Sequence, residues 1–217
     1  MDAWRASTRK VQRLQQRIFY SPLLEAVARV PSEQVRLTSQ DAETRLRALG
    51  FSDPRAALRH IEALTTGLNR TAEIQRQLMP AMLGWFAEGP NPDHGLLAFR
   101  QVSESLGSTH WYLRALRDEG AMAERLAHIL ASSRYAVDLL LRAPQNVALL
   151  SDTDSIQPRS VDDIRSEMLI SARRHESVDT AIEIVRGVRR QELLRLAMAD
   201  LLHVDVSLES LGVGLSS

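Results

Sequence analysis

The sequence predicts an all-α protein, and three observations carry the prediction. Apolar residues recur at intervals of three and four along most of the 217-residue chain. Runs that alternate β-branched and polar residues between turn signals do not occur. Glycine, proline and short polar residues fall where helices start and stop, not in long loops. Many short elements with tight caps imply a compact multi-helix bundle of short orthogonal helices, flanked by longer N- and C-terminal helices.

The elements follow in order. Residues 2–29 form an amphipathic segment with Trp4, Val11, Leu14 and Ile18 on one face. Arg5, Arg9, Arg13 and Arg17 recur every fourth residue on another face, as a solvated stripe or as a surface for an acidic neighbour. Pro31-Ser32 breaks the chain. Thr38 with Asp41 has the capping-box pattern, and Gly50 stops the helix that follows. Asp53-Pro54 starts the next, with Asp as cap and Pro in the first turn. Leu58, Ile61, Leu64 or Thr65, and Leu68 continue at helical spacing, and then Ile74, Leu78, Met82 and Phe86. Pro80 should kink or interrupt that helix, because it lacks a backbone donor.

Gly89-Pro90 ends it, and Asn91-Pro92 begins an element with Leu96, Phe99, Val102 and Leu106 inward. Gly107-Ser108 stops and restarts the chain before Trp111-Tyr112. Gly120 precedes Met122, Leu126 and Ile129. Tyr135–Leu141 forms a short helix closed by Ala143-Pro144. The polar stretch 151–159 is the expected internal linker. Beyond it Ser160 with Asp163 is a second capping pattern, with Val161, Ile164 and Met168 along one face. A long helix from about Ser177 to His203 turns Ile182, Val185, Leu194, Met198 and Leu201 inward. The last residues are expected to be a frayed end or a cut in a longer chain.

Composition excludes several functions. Lys+Arg and Asp+Glu are 27 each, so bulk charge does not recruit nucleic acid. Cysteine is absent, which removes disulfides, thiol catalysis and Cys-based zinc sites. No apolar run reaches the roughly 18 residues of a membrane span, and the N-terminus lacks the apolar stretch of a secretory signal. Cytoplasmic residence is the expectation, with no membrane partner. Lys10 is the only lysine, and nothing around it resembles a Schiff-base or phosphate site.

Candidate sites are few. A nucleotidyltransferase needs paired carboxylates for magnesium and a Gly-Ser turn for phosphates. Asp152 with Asp154 and Gly107-Ser108 come nearest, but they read as linker and helix stop. Gly212 and Gly214 form half a dinucleotide fingerprint with no βαβ unit. Among His60, His94, His110, His128, His175 and His203, only Glu124/His128 and Asp200/His203 lie one turn from a carboxylate, the spacing of ordinary helix pairs. No Gly-x-Ser-x-Gly turn occurs. Trp85-Phe86 and Trp111-Tyr112 read as core anchors. Arg173, Arg174, Arg186, Arg189, Arg190 and Arg195 alternate with Glu176, Asp179, Glu183 and Glu192, as on a solvated or internally paired helix. No catalytic, cofactor-binding or metal-binding residue is assigned.

The run from Leu78-Met79-Pro80 through Trp85-Phe86, Asn91-Pro92-Asp93, Gly95-Leu96-Leu97 and Phe99 to Trp111-Tyr112-Leu113-Arg114 resembles the central region of bacterial glutamine-synthetase adenylyltransferase, the bifunctional adenylylating and deadenylylating enzyme. Residues Ile18–Leu24 resemble the end of its deadenylylating half. Arg186, Gln191, Glu192, Leu193 and Asp200 resemble the helical lead-in to its adenylylating half. The family's Gly-Ser-x-x-Asp and Asp-x-Asp motifs have no counterpart in this sequence.

The resemblance implies four parts: 1–30 as the tail of one catalytic half, 31–150 as a central helical regulatory domain, 151–159 as a linker, and 160–217 as the lead-in to the other half. It also implies a parent enzyme that uses ATP and magnesium to transfer AMP to glutamine synthetase and responds to a PII-type signal protein. This chain is then a non-catalytic connector between flanking catalytic domains. The alternatives are an all-α ligand-responsive transcription regulator, a stand-alone interaction module, or an autonomous transferase.

Overall fold

The computed structural model describes residues 34–107, 109–174 and 177–204. The described residues are helices joined by short turns, with no strand among them. The amphipathic segment 2–29, Ser108, His175, Glu176 and the Gly212/Gly214 pair lie outside them.

Two compact units divide the chain between Ala131 and Ser132. The first holds α1 (Gln34–Ala48), α2 (Pro54–Thr65), α3 (Arg70–Glu88), α4 (Pro92–Leu106), α5 (His110–Asp118) and α6 (Gly120–Ser132), the last residue of α6 excepted. The second holds α7 (Arg134–Arg142), 3-10 turns at Pro144–Ser151 and Asp154–Ile156, α8 (Val161–Arg173) and α9 (Val178–Leu201). The polar stretch 151–159 is packed within this second unit, where Ile156 is fully buried.

Short-range chemistry sets most boundaries. Asp53 caps α2 by accepting from the Ala56 N–H at 3.0 Å, with Pro54 in the first turn. Asn91 does the same for α4 through the His94 N–H, and Ser133 for α7 through that of Ala136. Ser160 and Ser177 cap α8 and α9. Gly50 ends α1 with φ +89, a left-handed conformation that glycine takes freely. At the end of α9 the His203 N–H bonds Asp200 O at 3.1 Å and the Val204 N–H bonds Ala199 O at 3.0 Å. This is a Schellman closure with histidine, at φ 51, in the place glycine usually takes.

Three expectations fail locally. Thr38 does not cap a helix, because α1 begins upstream at Gln34 and places Thr38 in its interior. Pro80 does not interrupt α3, which runs unbroken from Arg70 to Glu88. The packing of Met79, Met82, Leu83 and Phe86, all without exposed surface, outweighs the one backbone bond that proline forgoes. Leu68 is fully exposed, because α2 stops at Thr65 and leaves it in the loop.

The core of the first unit gathers Leu46, Ile61, Phe86, Leu96, Phe99, Val102, Tyr112, Met122 and Leu126, each with no exposed surface. Phe86 and Phe99 face each other with centroids 6.1 Å apart. Asp93, in the first turn of α4, accepts from the backbone N–H groups of Ser52 (2.7 Å) and Asp53 (3.1 Å), which fixes the start of α2 against α4. Gly95 lets α4 approach its neighbours: a Cβ there would lie 2.8 Å from Phe86 Cδ1 and 3.1 Å from Ala131 Cα.

Candidate functional site

The residues nearest to a nucleotidyl-transfer motif serve local structure. Asp152 and Asp154 are exposed, and Asp152 Oδ1 accepts from the Asp154 N–H at 3.1 Å, which closes a turn. Gly107 follows the last turn of α4, and its carbonyl accepts from the Thr71 hydroxyl. Among the described residues no group of three or more His, Asp or Glu could hold a metal ion. The acidic pair therefore does not fit a magnesium site, which needs several oxygen ligands converging on one point.

The histidines are dispersed. His94 Nδ1 lies 3.0 Å from the Leu130 carbonyl, so its Nδ1–H tautomer ties α4 to α6. His60 Nδ1 faces Arg100 Nη1 at 3.2 Å. Burial first, and then the Arg100 and Arg59 charges, hold its pKa below the usual histidine value. Glu124 and His128 share the exposed face of α6. His203 belongs to the closure of α9 and meets Asp200 through the backbone.

The two aromatic pairs divide unequally. Phe86 and Tyr112 are wholly buried, Trp85 is half-buried, and Trp111 is 39% exposed. The expected anchoring by both tryptophans thus falls to their neighbours, because each pair straddles a helix face and only one ring can point inward. The Tyr112 hydroxyl meets Ser103 Oγ at 3.0 Å, and Gln75 Nε2 donates to the same Oγ at 3.3 Å. Burial pushes the Tyr112 pKa well up. Gln75 Oε1 is buried without a partner.

The arginine-rich stretch also divides. Arg186 pairs with Glu183 at 3.2 Å on the surface of α9. Arg195 instead is buried, 3.3 Å from the buried Glu192, and it donates to the Ser155 carbonyl. Arg159 bridges Glu192 (3.2 Å) and Glu167 (2.6 Å), and the hydrogen bond to Glu167 raises its pKa. These side chains fasten α9, α8 and the 151–159 stretch to one another. The four-residue network was not legible in the sequence, where the only signal was the i, i+3 spacing of Glu192 and Arg195.

Around this fastening the hairpin of α8 and α9 is open. α8 has no fully buried residue, and Val161, Leu169, Ile170, Val178 and Ile182 are exposed. The inward placement expected for Ile182 fails, and Val161 likewise faces out. Among the described residues no helix is long and apolar enough to cross a membrane.

A helical chain with capped turns, a charge-fastened hairpin and no converging acidic or nucleophilic group defines a helical segment without a recognisable catalytic centre among its described residues. Comparison with known proteins gives its family. The family described as glutamate-ammonia ligase adenylyltransferase matches residues 123–217. The chain is 56% identical over 93% of its length to 20% of the bifunctional glutamine synthetase adenylyltransferase/adenylyl-removing enzyme of Cutibacterium acnes. The proteins of the same name from Leifsonia xyli and Streptomyces coelicolor are 48% and 51% identical over 100% and 93% of the chain, which covers 22% and 20% of them. The chain belongs to this adenylyltransferase family as a partial segment, spanning about a fifth of the length of the curated relatives it matches. No solved structure matches it.

Proposed function

We propose that this chain is a non-catalytic helical connector from the middle of a bifunctional adenylyltransferase, and that it holds two catalytic halves apart and carries effector state between them. The observation that carries the reading is coverage. Some 93% of the chain aligns with only 20% of a relative that has two named activities. The geometry supports it: the residues closest to nucleotidyl-transfer motifs act as a turn and a helix stop.

In this reading residues 1–30 end one catalytic half, 31–150 form the regulatory body, and 160–217 lead into the other half. ATP and magnesium serve the flanking halves, and no step of the transfer passes through the residues of this chain. Glutamine synthetase is the target of the whole polypeptide, a PII-type signal protein is its regulator, and the cytoplasm is its compartment.

Calorimetric titration of the chain with the PII-type protein and with glutamine synthetase tests the regulatory role. Heat of binding from either partner is the expected result, and silence from both reduces the chain to a spacer. An assay for AMP transfer from ATP by the chain alone should show no turnover; measurable transfer sinks the reading.

A further inference from the structure

The end of the first unit where α3 begins and α5 emerges has an unusual surface. Trp111 is exposed although its ring stands edge-on to the buried Tyr112, with centroids 5.9 Å apart. Leu68, in the loop before α3, is exposed over its whole surface. The Thr71 hydroxyl donates to the Gly107 carbonyl at 3.3 Å, which holds the start of α3 beside the turn that leads into α5. Along α5, Trp111, Arg114 and Asp118 follow at intervals of three and four and share one face.

Charge at this end is lopsided. Arg117 grips Asp118 through Nε at 2.6 Å and Nη2 at 2.7 Å. That hydrogen bond first, and then the charges of Arg117, Arg114 and Arg70, hold the Asp118 carboxyl below its ordinary range. Three guanidinium groups thus stand around one carboxylate that is already engaged. Arg70 and Arg114 are exposed and make no ion pair with another described residue. Glu73 and Glu119 are exposed nearby in sequence, on α3 and just after α5.

Exposed tryptophan beside unpaired arginine is the composition of the contacts that dominate protein interfaces. We propose that this surface docks an acidic, apolar-bearing segment of a partner protein, with carboxylates on Arg70 and Arg114 and an aliphatic side chain against Trp111 and Leu68. Charge complementarity selects that occupant. A nucleic-acid backbone fits worse, because Leu68 offers it nothing, Glu73 and Glu119 repel a continuous line of phosphates, and the chain's net charge is zero. The inference stands independently of the connector reading.

The test is fluorescence anisotropy with the whole 217-residue chain. One probe is a labelled synthetic peptide whose leucines recur at helical spacing among glutamates. A second has lysine in place of glutamate, and a third is a labelled single-stranded DNA oligonucleotide. The acidic peptide alone should bind. Its affinity should fall about tenfold in the double variant Arg70→Glu/Arg114→Glu, and again at about 0.5 M salt. Trp111→Ser should weaken it comparably. Trp111 leans on buried Tyr112, so the two exposed arginines, whose replacement leaves the core untouched, decide the test. Arg165→Glu/Arg173→Glu, on α8, should bind like the unaltered chain. No binding of the acidic peptide, unchanged affinity in the Arg70/Arg114 variant, or tighter binding of the oligonucleotide overturns the proposal. So does self-association that the same variant abolishes, which makes the occupant a second copy.

Discussion

In α3 and α4 the inward residues are Met79, Met82, Leu83, Phe86, Leu96, Phe99 and Val102, and none has exposed surface. In α8 no residue is fully buried, and α9 buries only Glu192, Leu194, Arg195, Met198 and Ala199 in its C-terminal half. Both regions have apolar residues at helical spacing and side-chain caps at their starts. One is held by close apolar packing, the other by a short charged network around Glu192. Amphipathic periodicity therefore identifies a face that can be covered, and burial depends on whether another element reaches it.

The largest test of that difference is Phe86→Ala, which should cost about 3–5 kcal/mol of stability. Leu169→Ala, on exposed α8, should stay within about 0.5 kcal/mol. Urea unfolding of both variants checks this, and similar losses would erase the contrast. Next comes the charged fastening. Glu192→Ala strands buried Arg195 and should cost about 3 kcal/mol, whereas Glu183→Ala breaks an exposed pair and should cost under about 0.5 kcal/mol. Hydrogen exchange should report the first as faster opening of α9 and residues 151–159.

A third variant sharpens the apolar side. Gly95→Ala places a Cβ 2.8 Å from Phe86 Cδ1 and 3.1 Å from Ala131 Cα, so overpacking of about 1–3 kcal/mol is expected in thermal melts. His203→Gly relieves a left-handed residue in the closure of α9 and should raise stability by roughly 0.5 kcal/mol. The smallest effect is the pH dependence at His60. Its folded pKa lies below the unfolded value, so the unfolded chain binds more protons between the two. Stability then rises with pH through that window and is lost as pH falls. The slope should flatten in His60→Gln, followed by denaturation at several pH values.

Much of the first unit could be read before the structure. The Asp53-Pro54, Asn91-Pro92 and Ser160 starts are local chemistry, where one side chain bonds a backbone three residues on. Leu96, Phe99, Val102 and Leu106 lie on one face as their spacing required. The docking candidate was less legible. Arg70 meets Asp118 and Arg114 only through the fold, and Trp111 looked like an anchor until Tyr112 took the inward place.

The amino-acid order alone determined the all-α class, most helix starts and stops, and the apolar faces of α4 and α6, since each follows from interactions within about four residues. Tertiary structure decided that Pro80 is tolerated inside α3, that Phe86 and Tyr112 rather than their tryptophan neighbours are enclosed, that Arg195 leaves the surface for Glu192 and Ser155, and that Ile182 stays in solvent. Those outcomes depend on residues distant in sequence: a helix face costs nothing to expose until the fold supplies, or withholds, the surface that would cover it.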